Sequence, residues 1–370
     1  MNTTRIRSQF TVRDTDPLVN SHRVQDIHIL PGVALLDAVY KTLQAQRMDI
    51  SALALRSVMF HEPVVTNARI DRRVTVTVDM KGGEGQITVT SQPWKGDRAL
   101  TAIVTTHMAC LLGPARPFDS TPAPACTEPL PDEAGDLDAC YGVTRYIGIF
   151  HDGFMKCSGR VAALPTGQHL GDVTLGPEAA ARRADFLLHP VFLDCATIVP
   201  LFPLRDRLDQ ANLFIPFAIE EFQAVSFAGR RDVRVLVQPL DADPGSSEML
   251  RYSFGIFDHQ GRQLAAVRRF TVKKVRSLQN IRGLLEKSLT LAARPTPTPT
   301  PVPASRNVAV AAGGDPISNL IGELLGRHGA FDWNLDDAPK PFFELGLDSL
   351  ALLDAAEALE KRLGVHLYPT

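Results

Sequence analysis

A histidine nine residues ahead of a Pro-Gly pair, in HRVQDIHILPGVALLDAVY (His22–Tyr40), is one of two places in this 370-residue chain where residue type and spacing point to chemistry. The Pro31-Gly32 pair opens an almost wholly apolar segment, so the His22 imidazole sits just ahead of a buried helix. A ring whose pKa lies near neutrality can act there as a base on a group held in an apolar groove. Taken alone, the same ring could equally end a strand. The second place is GLDSL (Gly346–Leu350), where Ser349 stands at a helix N-terminus. Unpaired N–H groups and the helix dipole favour a phosphate at that position.

The elements that must position these residues follow from periodicity. Val33, Leu35, Leu36, Ala38 and Val39 cover nearly every face of the first helix, which must therefore be buried. Proline suits its first turn, because the missing N–H would be unpaired there anyway. Val74, Val76, Val78 and Met80 share one face of a strand, Ile87 and Val89 one face of the next, and Gly82-Gly83 lies between them as a turn. A longer strand is expected from Leu100 to Leu112, followed by a proline-rich connector. The second half repeats the plan: FLLHPVFLDCATIVPLF is an apolar helix opened by Pro190, and strands follow at Val233–Gln238, Tyr252–Asp258 and Leu264–Val275. Helix then strands, twice, predicts an α+β double hotdog, in which two antiparallel sheets each wrap a central apolar helix. The expected units are 1–113, a connector at 114–137, and 138–275.

Beyond them, RPTPTPTPVPAS cannot form a packed core and reads as a semi-rigid spacer within a linker at 276–314. Over 315–370 the pattern is helical again. Asp315 and Pro316 start one amphipathic helix (Ile317, Leu320, Ile321, Leu324, Leu325), and Ser349 starts another (Leu352, Ala356, Leu359, Leu363) that Gly364 ends.

Composition narrows the function classes. A formal net charge of -2 gives no general attraction to nucleic acid or an anionic membrane. No run approaches the roughly 20 apolar residues of a membrane span, and the N-terminus lacks a signal core. Five widely spaced cysteines without a CxxC pair suggest neither a disulfide framework nor a zinc site, and a reducing cytoplasm fits best. No histidine pair has metal-ligand spacing and no glycine-rich phosphate loop is present, so neither metal nor nucleotide is expected.

The phrase FFELGLDSLALLDAAEALEKRLG resembles an acyl carrier protein, with Ser349 matching the serine that takes a 4'-phosphopantetheine arm. The chain stops at Thr370, before the further helices of such a carrier, so this domain is expected to be truncated. Residues 10 to 275 resemble the polyketide synthase dehydratase domain. His22 and Pro31 match its HxxxGxxxxP motif, and His189, Pro190, Leu193 and Asp194 match an HPxxLD phrase on the second helix. The resemblance implies elimination of water from a carrier-bound 3-hydroxyacyl thioester, with His22 as base and Asp194 as acid. Desolvation would raise the Asp194 pKa and keep it protonated. Main-chain N–H groups at Pro31-Gly32 would polarise the thioester carbonyl, and Gly32 would let the acyl chain approach. His189 and Phe154 are supporting residues, His189 by hydrogen bonding at the helix start. The partners implied are carrier-bound polyketide intermediates, other polyketide synthase modules and a second copy in a homodimer.

Three positions depart from the family pattern. Asp26 replaces the motif glycine, Phe150 stands where a tyrosine of a YGPxF phrase would be, and Ile198 replaces a Gln or His four residues after the aspartate. Asp26 could raise the pKa of His22, and Ile198 cannot hold the Asp194 carboxyl. Asp37 lies where some single hotdog thioesterases carry a carboxylate, but is secondary to Asp194. His28, His61 and His107 read as strand or edge residues, His151-Asp152 as a solvated loop, and Arg268-Arg269 with Lys273-Lys274 as a solvated strand face. Alternatives to dehydration are a related double hotdog that isomerises double bonds or closes pyran rings, and a non-catalytic domain that binds carrier and scaffolds the assembly.

Overall fold

Alternating valines set the first sheet. Val74, Val76 and Val78 are fully buried while Thr75 and Thr77 between them are half-buried, which is the period-two pattern of a strand packed on one face. The computed structural model describes residues 4–118, 123–204, 213–238 and 247–275. The chain divides into two units, Met1–Thr296 and Pro297–Thr370. The second unit, with the Pro-Thr spacer, the two expected carrier helices and Ser349, lies outside the described residues.

The first half of unit one runs β1 (Thr4–Val12), α1 (Pro17–Asn20), β2 (His22–Val24), β3 (Ile27–Leu30), α2 (Ala34–Ala45), β4 (Leu53–Phe60), β5 (Val64–Val65), β6 (Asp71–Lys81), β7 (Glu84–Lys95), β8 (Arg98–Ala99) and β9 (Thr105–Pro114). The second runs β10 (Gly135–Asp136), α3 (Asp138–Tyr146), β11 (Ile149–His151), β12 (Cys157–Ala163), β13 (His169–Leu175), α4 (Pro177–Ala181), α5 (Pro190–Ile198), β14 (Phe214–Ala224), β15 (Asp232–Val237), β16 (Met249–Phe257) and β17 (Gln263–Lys274). Gly82 and Gly83 both take positive φ (62° and 91°), the conformation a two-residue hairpin turn demands, and join β6 to β7.

This is the double hotdog fold, with one refinement. The two sheets are continuous, in the order β1-β6-β7-β9-β4-β14-β17-β16-β15-β13-β12-β10. The junction is the antiparallel pair β4–β14, registered through Ala218 against Met59 and Phe222 against Leu55. Each strand would otherwise present unpaired N–H and C=O groups along an edge. The sequence hides β14, because Pro216 interrupts it at a bulge and Glu220-Glu221 break its alternation. Those glutamates are engaged on the outer face: Glu221 meets Arg56 (3.1 Å) and Arg268 (3.7 Å), and Glu220 meets Arg269 (3.3 Å).

Both apolar helices pack beneath the sheet. In α5 every residue but Thr197 is buried. In α2, Tyr40 packs edge-on against Phe222 of the junction strand, with ring centroids 5.5 Å apart. Pro190 occupies the first turn of α5 as the sequence predicts. Pro31 does not enter α2: it opens a turn just before it, closed by the Ala34 N–H on the Pro31 carbonyl at 2.9 Å. The expected strand from Leu100 begins only at Thr105, since the Thr101 hydroxyl captures the Ile103 N–H at 3.0 Å and turns the chain there.

A single carboxylate ties the two halves together beneath the sheet. Asp37, on α2, accepts hydrogen bonds from the N–H groups of Leu187 (2.9 Å) and Leu188 (2.7 Å) and pairs with Lys41 (2.9 Å). Those N–H groups belong to the turn that leads into α5. Asp37→Ala leaves two buried donors without an acceptor and is expected to destabilise the fold by about 2–4 kcal/mol. An unchanged midpoint in denaturant unfolding would refute this account of the residue.

Candidate active site

A short hairpin carries the first functional side chain. β2 and β3 pair around the two-residue turn Gln25-Asp26, and the Ile29 carbonyl comes within 2.8 Å of His22 Nδ1. A carbonyl only accepts, so Nδ1 carries the proton and Nε2 is left with its lone pair. The ring is 7% exposed, and burial lowers its pKa to about 4. It is therefore neutral at physiological pH. Asp26 lies exposed on the hairpin turn, and the shift of His22 is opposite to the rise that an Asp26 contact would cause.

The second half delivers two more groups. β11 pairs antiparallel with β2 in a register that sets His151 directly opposite His22, and their ring centroids are 5.0 Å apart, edge to face. His151 is 4% exposed, so the expected solvated loop is a buried strand. Three residues are too few for a visible periodicity, and only the pairing with β2 reveals the placement. Phe150 faces the other way, beneath the Arg23 guanidinium at 5.1 Å, while Arg23 also reaches the exposed Asp152 at 3.2 Å. Asp194, on α5, completes the group: His151 Nε2 lies 3.0 Å from its Oδ2. The contact is an ion-pair approach without an aligned hydrogen bond, which leaves Oδ2 able to meet another donor.

That contact corrects the expected electrostatics of Asp194. Burial pushes its carboxyl upward, but the charge and proximity of His151, with a smaller contribution from His22, outweigh burial and hold it below the ordinary carboxylate value. The partner that Ile198 cannot supply comes from another strand.

The three groups open onto a cavity of about 160 Å³ whose remaining wall is mainly apolar. Pro31, Gly32 and Ile198 line it beside them, as do His61 and His107, which the sequence assigned only to strands or edges. His107 is held at both nitrogens, by the Ser91 hydroxyl and the Glu62 carbonyl, each at 2.6 Å. His28 is turned aside to the Val19 carbonyl. At Gly32 a Cβ would sit 3.3 Å from the Phe60 ring, so the bare backbone admits that ring as well as leaving room on the cavity side. His189 and Phe154 stand outside the cavity wall. His189 Nδ1 accepts the Val191 N–H (3.3 Å) at the start of α5, and its ring lies among Phe154, Phe186 and Phe192. Asp37 is likewise spent on the backbone of Leu187 and Leu188.

One imidazole with a free lone pair, and a carboxyl with a second imidazole beside it, can take a proton from one atom and return a proton to a neighbouring one. The nearest ligand atoms of His22, His151 and Asp194 lie within 4.8 Å of one another, a set that could also hold a metal ion.

Comparison with known proteins bears on the same residues. A family model described as polyketide synthase dehydratase domain matches residues 1–92, and one described as polyketide synthase dehydratase N-terminal domain matches 119–280. A phosphopantetheine attachment site model matches 315–370, the stretch that holds Ser349. Two curated relatives from Bacillus subtilis (strain 168), polyketide synthases PksM and PksL, are each 23% identical over 99% and 100% of this chain. The chain spans only 8% of their length. Among solved structures, an N-terminal dehydratase from the difficidin assembly line is 25% identical, with a TM-score of 0.68 over 77% of this chain and 98% of that one. A monomeric dehydratase domain from a trans AT polyketide synthase split module is 21% identical, with a TM-score of 0.65 over 74% of this chain and 100% of that one. With two models of one family matching residues 1–92 and 119–280 and a shared fold across both halves, the chain belongs to the polyketide synthase dehydratase family, followed by a phosphopantetheine-attachment segment.

Proposed function

We propose that unit one eliminates water from a 3-hydroxyacyl thioester carried on a phosphopantetheine arm, giving the 2-enoyl thioester. The observation that carries this reading is a neutral imidazole from one half and a carboxyl from the other, both facing one apolar cavity. His22 Nε2 takes the proton from the α-carbon. The electrons of that C–H bond form the double bond as the bond from the β-carbon to oxygen breaks, and the departing hydroxyl leaves as water with a proton from Asp194, which must take that proton up before the step because its carboxyl is held below the ordinary value. N–H groups at the Pro31-Gly32 turn polarise the thioester carbonyl while negative charge builds on it. His189 and Phe154 fix the start of α5 and so the position of Asp194. Ser349 carries the arm in the attachment segment, and the substrates arrive from other modules of a polyketide synthase.

Incubating the chain with both epimers of a 3-hydroxyacyl pantetheine thioester and following loss of water by mass tests the reading. His22→Ala and Asp194→Asn are each expected to lower the rate by about 10²–10⁴-fold with nearly unchanged melting temperature. Folded protein that leaves both epimers untouched would instead favour a non-catalytic, carrier-binding domain.

The buried base also sets a pH limit. His22 must be unprotonated to act, and burial lowers its pKa from 6.5 to about 4. The acidic limb of kcat/KM is therefore expected near pH 4, with full base activity retained through pH 6.5. A limb near 6.5 would mean that the ring is solvated or that another group is the base.

A further inference from the structure

Tyr252, on β16, lines the cavity together with Asp194, Thr197 and Ile198 of α5. Its hydroxyl donates to the main-chain carbonyl of Thr197 at 3.2 Å. Thr197 follows Asp194 by three residues, which places both on one face of α5. Its carbonyl is also among the last four of the helix, which have no partner within it. The ring is held from two sides, by Phe270 opposite it on β17 and by Phe254, with centroids 5.3 and 6.2 Å away. Between those contacts β17 sets two residues, Arg268 and Arg269, against Ser253, and this bulge leaves Phe270 and Val267 both buried. Arg269 takes a φ of 45° there, with its N–H on Ser253 Oγ at 2.9 Å. Burial, and after it the charge of Asp194, raise the phenol pKa, so the group stays an O–H donor to Thr197. A hydroxyl has one proton and two lone pairs. With the proton committed to Thr197, the Tyr252 oxygen can only accept from a molecule in the cavity, whereas Ile198 beside it offers no polar contact.

We propose that Tyr252 positions the leaving group: its oxygen accepts the hydrogen bond of the substrate's 3-hydroxyl, which turns a lone pair of that hydroxyl toward Asp194. The proposal rests on the elimination reading and adds the residue that orients and selects the group to be lost. The 3-hydroxyl brings one donor and two acceptor positions, and Tyr252 and protonated Asp194 are the matching acceptor and donor. As the bond from the β-carbon to oxygen breaks, the Asp194 proton goes to the lone pair that faces it. The hydrogen bond to Tyr252 passes to the departing water, and the phenol itself neither gains nor loses a proton. A 3-oxo group has an acceptor but no donor at this position, so Tyr252 favours the hydroxyl over the ketone.

Binding of unreactive analogues tests this without turnover. Pantetheine 3-hydroxyacyl and 3-oxoacyl amides, in which N–H replaces the thioester sulfur, are titrated into the full chain by calorimetry. The better-bound 3-hydroxyacyl epimer is expected to bind about fivefold to tenfold more tightly than the 3-oxoacyl amide, and equal affinities would overturn the proposal. In Tyr252→Phe the affinity for the 3-hydroxyacyl amide should fall by about the same factor, while that for the 3-oxoacyl amide stays within about twofold. Equal losses for both would make Tyr252 a packing residue and overturn the proposal as well. Thr197→Val removes the other hydroxyl on this wall and keeps the carbonyl that anchors Tyr252, so the preference should survive it; a preference lost there and retained in Tyr252→Phe would assign the role to Thr197 instead. With the 3-hydroxyacyl thioesters, Tyr252→Phe is expected to lower kcat for water loss by about tenfold or more and to narrow the rate ratio between the epimers. A native chain that turns over neither epimer would remove the elimination reading, whereas the binding preferences decide the role of Tyr252 on their own.

Discussion

Two imidazoles and a carboxyl buried together in an apolar cavity would each lose the stabilisation that water gives their charged forms. The cost is tolerable only where the groups are neutral or satisfy one another. His22 takes the first course and Asp194 the second. Burial drives the histidine to its neutral form, and the Ile29 carbonyl holds its Nδ1 proton, so the ring cannot turn without losing a buried hydrogen bond. The carboxyl escapes the same pressure only because His151 stands beside it. Desolvation thus prevails at His22 and pairing at Asp194, so the imidazole is held neutral and the carboxyl below its ordinary value.

That balance depends on pairings between segments far apart in the chain. β11 lies beside β2, and without this three-residue ladder His151 would have no fixed distance from either partner. α5 must present Asp194 at the same depth, and its start is anchored twice, by His189 on the Val191 N–H and by Asp37 on the backbone just upstream. Asp37 therefore contributes to the site by position. A buried carboxylate near a pocket invites a chemical role, but both N–H groups it accepts are main-chain donors that would otherwise lie unpaired in the core.

Local signals in the sequence carried far. Apolar alternation marked β6 and β7, unbroken apolar runs marked α2 and α5, and the resemblance of HPVFLD to a phrase of the dehydratase family drew attention to Asp194. Every one of these patterns is written in consecutive positions. What stayed hidden was nonlocal. β14 joins the two sheets, yet Pro216 and two glutamates mask its period, and nothing in it names β4 as its partner. His151 looked like part of a loop because its strand is only three residues long and its meaning lies in the register against β2. The expected rise of the Asp194 pKa was reversed for the same reason: the burial was foreseen and the neighbour was not. The departures at Phe150 and Ile198 looked like independent losses in one dimension, whereas in three dimensions His151 stands where Ile198 falls short.

The β4–β14 junction has a consequence for how such a domain can be exchanged or rebuilt. His22 comes from one side of it, and His151 and Asp194 from the other, so neither repeat owns the chemistry. A crossover placed in the connector would join two halves that had never fitted their rings and carboxyl to each other, and a cut there would leave β4 or β14 as a bare edge open to unwanted pairing. The two halves repeat one outline, but the cavity is lined from both, so neither half completes it alone. The smallest transferable unit for recombination is accordingly the whole pair of repeats.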